Sequence, residues 1–155
     1  MKVFIPSRET LDITHVVLDM NGTIALDGGL LEGVAERLEE LSRSVRVVML
    51  TADTHGGAAE LGERLAIETH ILAAGSQAEQ KLEFVRGLGP KHTIAVGNGS
   101  NDALMLAGSG VGIAVIGSEG ASLEALHAAD VVVTDIRDAL DLLLKPQRLA
   151  ATLRR

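Results

Sequence analysis

The stretch Val16–Gly28 reads VVLDMNGTIALDG: an apolar run ends in a carboxylate, Asp19, followed by Asn21, Gly22 and Thr23. A carboxylate at the end of a rigid strand, next to a loop of free backbone N–H groups, is placed as a nucleophile toward phosphorus, giving an aspartyl-phosphate. A second apolar run ends at Thr51, ahead of Ala52 and Asp53. The Thr51 hydroxyl can donate to a phosphoryl oxygen. Lys81 can neutralise charge on phosphate and nucleophile. The segment GNGSND, Gly97–Asp102, adds Asn98, Ser100, Asn101 and Asp102. Asp102, with Asn98, can help hold a hard divalent cation such as Mg²⁺, which takes oxygen ligands, a carboxylate or two and substrate phosphate. Phosphoryl transfer needs little beyond positioning and charge stabilisation.

Each group also has a structural explanation when taken alone. A strand-end Asp often forms a turn. Thr51–Thr54, TADT, reads equally as a turn and a helix cap. A lone lysine is normally a surface residue. GNGSNDALML can be a Gly-rich turn with Asn101 as a helix N-cap. It is a poor dinucleotide fingerprint, because Asp102 stands where the third glycine belongs. The chemical reading rests on all four segments occurring in order, each after the expected element.

Those elements alternate along the chain. Short β-branched runs read as strands at His15–Asp19, Val45–Thr51, Ile67–Leu72, His92–Gly97, Val111–Ile116 and Val131–Thr134. Between them lie helical patterns: Leu30–Ser44, with Leu31, Val34, Leu38 and Leu41 on one face; Gly57–Ala66, weakened by Gly62; and a helix from Ser76, with Glu79 completing a capping box and Gly87 or Gly89 closing it. A short helix follows Asn101, another surrounds ASLEALHAA, and RDALDLLL is followed by Pro146 and a last short helix over 146–153. Strands apolar on both faces, alternating with helices, imply an α/β, doubly wound, mainly parallel sheet covered on both sides. The expectation is a single domain over 1–155: an N-terminal antiparallel edge hairpin over 1–14, a core over 15–144, and no cap domain. In such sheets ligands bind beyond the carboxyl ends of the strands, where the polar residues above converge.

Composition narrows the partners. A net charge of −7 argues against nucleic acid, which calls for a basic patch. The basic cluster Lys145, Arg148, Arg154 and Arg155 reads as a solvated helix end. Without cysteine, disulfide and thiolate chemistry are excluded. No secretory h-region and no membrane-length apolar run is present, so a cytoplasmic protein is expected. The core must be built from Val, Ile, Leu and Ala, because Phe4 and Phe84 are the only aromatics of the Phe, Tyr, Trp class. The apolar faces of the later helices can be core or a homo-oligomer contact. Of the five histidines, His55 follows TAD and can line the site mouth; the others are scattered, and a surface or core role fits them all better.

Together the four segments resemble the haloacid dehalogenase-like superfamily, over about Val16 to Leu144. The D-x-D-x-T motif corresponds to DMNGT, the strand-end Thr to Thr51, the lysine to Lys81 and G-D-G-x-N-D to GNGSND. The nearest likeness is to the phosphorylation domain of P-type ATPases, in a form lacking membrane helices and nucleotide-binding insert; an ion pump is excluded for this chain by itself. The resemblance implies Asp19 as nucleophile and Mg²⁺ at Asp19, Asn21, Asn98 and Asp102. It implies phosphate contacts at Asn21, Gly22, Thr51, Ala52 and Lys81, with Thr23, Asp53 and Asn101 in support. It also marks two departures. Asn21 stands where most family phosphatases carry a general acid/base, whose help is worth about 10²–10⁴-fold. Asn98 stands where the family has a metal-binding Asp.

Two functions follow. One is a slow Mg²⁺-dependent phosphohydrolase acting on an activated phosphorylated small molecule or a phosphoprotein. The other is a non-hydrolytic phosphate-binding or regulatory module. A receiver-like phospho-acceptor domain fits less well, because it leaves GNGSND unexplained.

Overall fold

The computed structural model describes residues 1–6, 9–54 and 56–154. His55 and Arg155 lie outside the described residues. The six strands anticipated from the sequence form one parallel sheet: β3 (His15–Asp19), β6 (Arg46–Thr51), β7 (Glu68–Ile71), β8 (Thr93–Gly97), β9 (Val111–Val115) and β10 (Val131–Val133). Their order is β10-β9-β8-β3-β6-β7. Chain order therefore reverses at β3, which has β6 on one side and β8 on the other. Residues 16–18 of β3 are fully buried, as its unbroken apolar sequence requires.

Successive β3 residues point to opposite faces and feed two cores. Val16 and Leu18 join the larger, against α1 (Val34–Ser42), α2 (Ala58–Leu65), α6 (Ile136–Leu144) and α7 (Pro146–Leu153). Val17 joins the smaller, with Val85 of α3 (Gln77–Leu88), Met105 and Leu106 of α4 (Ala103–Gly108) and Ala125 of α5 (Leu123–Ala128). The result is the expected doubly wound, three-layer arrangement. Ser76 caps α3, its hydroxyl accepting from Glu79 N–H, and Gly89 closes the helix. α2 runs through Gly62, where a side chain would collide with Thr69 of β7.

Three features depart from the sequence reading. The N-terminal hairpin, β1 (Lys2–Val3) with β2 (Leu11–Asp12), forms a two-strand sheet of its own, while β10 and β7 remain the edges of the main sheet. The helix expected from Leu30 begins only at Val34, because Gly33 is left-handed. In its place stands an unanticipated hairpin, β4 (Ala25–Leu26) with β5 (Gly29–Leu30). Its two-residue turn, Asp27–Gly28, has both φ angles positive, the signature of an Asp-Gly hairpin turn. Among the described residues this hairpin is the only strand structure between β3 and α1. Lys145, Arg148 and Arg154 are exposed, as expected of a solvated helix end.

Candidate active site

Asp19 ends β3 at the point where strand order reverses, which is where open α/β sheets bind ligands. The register sets Asp19 beside Leu50, next to Thr51, and Leu18 beside Val96, next to Gly97. Three site segments are thus brought together by backbone pairing alone. Lys81 comes from α3 on one face. Its side chain is 1% exposed, and its Nζ lies 2.6 Å from both Asp19 Oδ1 and Asp102 Oδ1. The three charged groups carry a net single negative charge.

Burial first, and the Asp102 carboxylate second, push the Asp19 carboxyl up to about 6, against the opposing pull of Lys81 and Thr23. Burial alone pushes Lys81 down, but Asp19 and Asp102 outweigh it and hold the ammonium above its ordinary value. Lys81 is therefore charged throughout the neutral range.

Asp102 is placed differently from the expected metal ligand. It is fully buried, its Oδ1 takes Lys81, and its Oδ2 takes the N–H groups of Asn98 and Gly99 at 2.9 Å each. With both oxygens engaged, and absent from the cavity wall, it positions Lys81 and the Asn98 loop. The turn after Asp19 also differs from the expected loop of free N–H groups. Gly22 N–H donates to Ala25 O and Thr23 N–H to Met20 O, because the chain folds tightly into β4. Gly22 has φ +80. The Asp53 carboxylate accepts from Ala58 N–H at the start of α2, and Asp53 is likewise absent from the cavity wall. Asn101 does not cap a helix; its amide donates to Gln77 Oε1 on α3 at 2.8 Å.

Of the anticipated residues, Asp19, Asn21, Thr51, Ala52, Lys81, Asn98 and Asn101 line a polar cavity of about 220 Å³, and Gly22 and Thr23 do not. Thr51 Oγ1 accepts from Asp53 N–H, which leaves its proton to donate. Thr54, Gln77 and Glu119 also line the cavity and were not anticipated. Glu119 was legible in principle: GSEG follows the apolar strand β9, as the other site loops follow theirs. None of the four described histidines lines this cavity.

The donor set suits a hard cation. Thr23 Oγ1 lies 3.2 Å from both Asp19 Oδ2 and Asn98 Oδ1. One hydroxyl proton serves only one of them at a time. The Asn98 amide is oriented by Nδ2 donating to Gly120 O, so Oδ1 faces Thr23. Asn21 Oδ1 is buried without a partner. Oxygens short of donors are what an oxygen-seeking divalent ion requires. Among the described residues no three Asp, Glu or His side chains gather into a metal cluster, so such a site draws on amide and carbonyl oxygen as well.

The family model for haloacid dehalogenase-like hydrolases matches residues 2–110. The chain belongs to the haloacid dehalogenase-like hydrolase family. Relatives of this hydrolase include an uncharacterized protein of Methanocaldococcus jannaschii, 48% identical over 52% of the chain and 90% of that protein. A cadmium/zinc-transporting ATPase of Arabidopsis thaliana is 32% identical over 83% of the chain. A soluble P-type ATPase-like phosphatase of M. jannaschii is 28% identical over 79%. The chain spans only 14% of that ATPase and 46% of that phosphatase. In fold it resembles the 3-deoxy-D-manno-octulosonate 8-phosphate phosphatase of Moraxella catarrhalis, with a TM-score of 0.71, 17% identity and 91% of each chain covered. No helix among the described residues is long and apolar enough to cross a membrane.

Proposed function

We propose that this hydrolase is a Mg²⁺-dependent phosphohydrolase working through an aspartyl-phosphate at Asp19. The observation that carries the reading is the buried Asp19–Lys81–Asp102 arrangement on the wall of a polar cavity at the reversal of strand order. The ionised Asp19 carboxylate attacks phosphorus, and the bond from phosphorus to the leaving oxygen breaks. Lys81 holds Asp19 and offsets the charge that the phosphoryl group brings. Thr51 donates its proton to a phosphoryl oxygen, with the Ala52 backbone beside it. Bound Mg²⁺ would lower the charge on the transferring group, held by Asp19, Asn98 and the Asn21 carbonyl. The Asn21 amide does not titrate and cannot protonate the leaving group, which must depart without an acid, as an acyl or aryl phosphate can. Water then attacks the aspartyl-phosphate without a base at residue 21, which makes turnover slow. We assign the substrate class as activated phosphate esters or anhydrides of small molecules or of a phosphoprotein, and the compartment as the cytoplasm.

Hydrolysis of an aryl phosphate with Mg²⁺ tests this. Asp19→Ala is expected to abolish turnover, by more than about a thousandfold. Asn21→Asp is expected to raise it about 10–100-fold, toward the usual worth of a general acid/base. Equal inertness of wild type and Asp19→Ala across many substrates would sink the enzyme reading. The amides at 21 and 98 would then favour the non-hydrolytic phosphate-binding module.

A further inference from the structure

The candidate cation site is poor in charge. Asp19 is its only ionised ligand, since the side-chain donors beside it are the amides Asn98 and Asn21, and Lys81 stands 2.6 Å away from Asp19. The turn after β9 brings another carboxylate to the same place. A Cβ added to Gly22 would lie 2.5 Å from Glu119 Oε2 and 2.5 Å from Asn98 Nδ2, with Asn98 Oδ1 at 2.9 Å. Glu119 and the Asn98 amide thus both border the space that the missing Gly22 side chain leaves open.

The turn is fixed to that amide. Asn98 Nδ2 donates to Gly120 O at 3.2 Å, Ser122 N–H to Asn98 O at 2.9 Å, and Gly120 N–H closes the turn on Gly117 O at 2.9 Å. Glu119 lines the cavity, yet among the described residues its carboxylate makes no ion pair and no hydrogen bond. A carboxylate anchored this way, exposed and without a protein partner, has room to meet a cation. Asn21, whose buried Oδ1 has no hydrogen-bond partner, also lines this cavity.

We infer that Glu119 is the second carboxylate of the divalent-cation site, supplying from the β9 loop the negative charge that Asn98 lacks. The inference rests on the phosphohydrolase reading above. Carboxylate count tunes the affinity of such sites. Glycine at 22 is then needed to admit Glu119 as well as to make the turn.

The test is Mn²⁺ affinity without substrate, read as free Mn²⁺ by electron paramagnetic resonance, with Mg²⁺ as competitor. Glu119→Gln is expected to weaken binding about tenfold, the scale of one unit charge acting on a divalent ion about 5 Å away in water. Asn98→Asp should tighten it. Asn98→Asp with Glu119→Gln, which moves the carboxylate across the site, should bind about as wild type does. Glu124→Gln, on the exposed face of α5, should leave affinity unchanged. The inference is overturned if Glu119→Gln binds like wild type, if it weakens binding no more than Glu124→Gln, or if it changes turnover but not Mn²⁺ affinity. Asp19→Asn separates the two levels. If it abolishes Mn²⁺ binding while Glu119→Gln binds like wild type, only the role of Glu119 fails. If wild type binds Mn²⁺ no better than Asp19→Asn, the cation site and the proposed function fail together.

Discussion

Lys81 Nζ divides two 2.6 Å contacts between carboxylates that would otherwise face each other in a buried space. Its replacement by Met leaves them unpaired, a loss of about 3–5 kcal/mol for breaking a buried ion pair. Urea melts should show the full loss near pH 7 and a smaller one near pH 5, where Asp19 takes up a proton. Asp19 carries the opposite sign. Its carboxyl sits at about 6 in the folded protein, above the unfolded value of 3.8, so the native state holds a proton longer than the unfolded chain. The stability it contributes is therefore complete below about pH 4 and lost as pH rises through about 6. Asp19→Asn, which mimics the neutral form, should be more stable than wild type by about 1–3 kcal/mol at pH 7.5, with no advantage at pH 4. Activity follows the reverse course. The nucleophile must be ionised, so kcat/KM at low Mg²⁺ should rise as pH passes about 6, and saturating Mg²⁺ should shift that limb to lower pH.

At the scale of elements, packing tolerances are narrowest where a helix lies against a strand. A Cβ at Gly112 of β9 would stand 2.5 Å from the backbone oxygen of Leu106 in α4. Backbone cannot swing aside, so Gly112→Ala should cost about 1–3 kcal/mol by overpacking, read as a lower urea midpoint with an unchanged m-value. The strands and most helices were legible because their apolar patterns are local: HVVLD forms β3 with the expected bounds, and Ser76 caps α3 as its capping box predicts. The β4–β5 hairpin was missed because its strands are two residues each, too short for periodicity to register, although Asp27–Gly28 announces the turn. The site was legible as far as strand ends reveal it. Nothing local distinguishes Asp102, which sits inside a Lys81 and backbone N–H cage, from a ligand-facing carboxylate. Glu119 reaches the cavity only through the tie between its turn and Asn98, a contact that exists once β8 and β9 pair.

Across the whole molecule, both hydrophobic cores meet on β3, so the strand that ends in the buried carboxylate is also the one on which the two helical layers rest. The cost of burying Asp19 is thus borne by global stability, and a ligand that relieves it should stabilise the entire fold. Mg²⁺ with beryllofluoride, a phosphoryl mimic that binds a carboxylate oxygen, supplies that relief. At about a hundred times its dissociation constant a ligand adds about 2.7 kcal/mol. For a chain of this size that amounts to about 5–10 °C in Tm. The shift should need both components, because the beryllium adduct brings negative charge that Lys81 alone does not balance beside Asp102. Asp19→Asn should abolish it. Lys81→Met should reduce it even though its starting Tm is lower, which separates loss of binding from loss of stability. A full shift without hydrolysis of any aryl or acyl phosphate would identify a phosphate-binding module built on a hydrolase site. The same shift accompanied by slow turnover that Asn21→Asp accelerates would place the rate limit in the missing acid, and no shift in wild type would remove the phosphoryl site altogether.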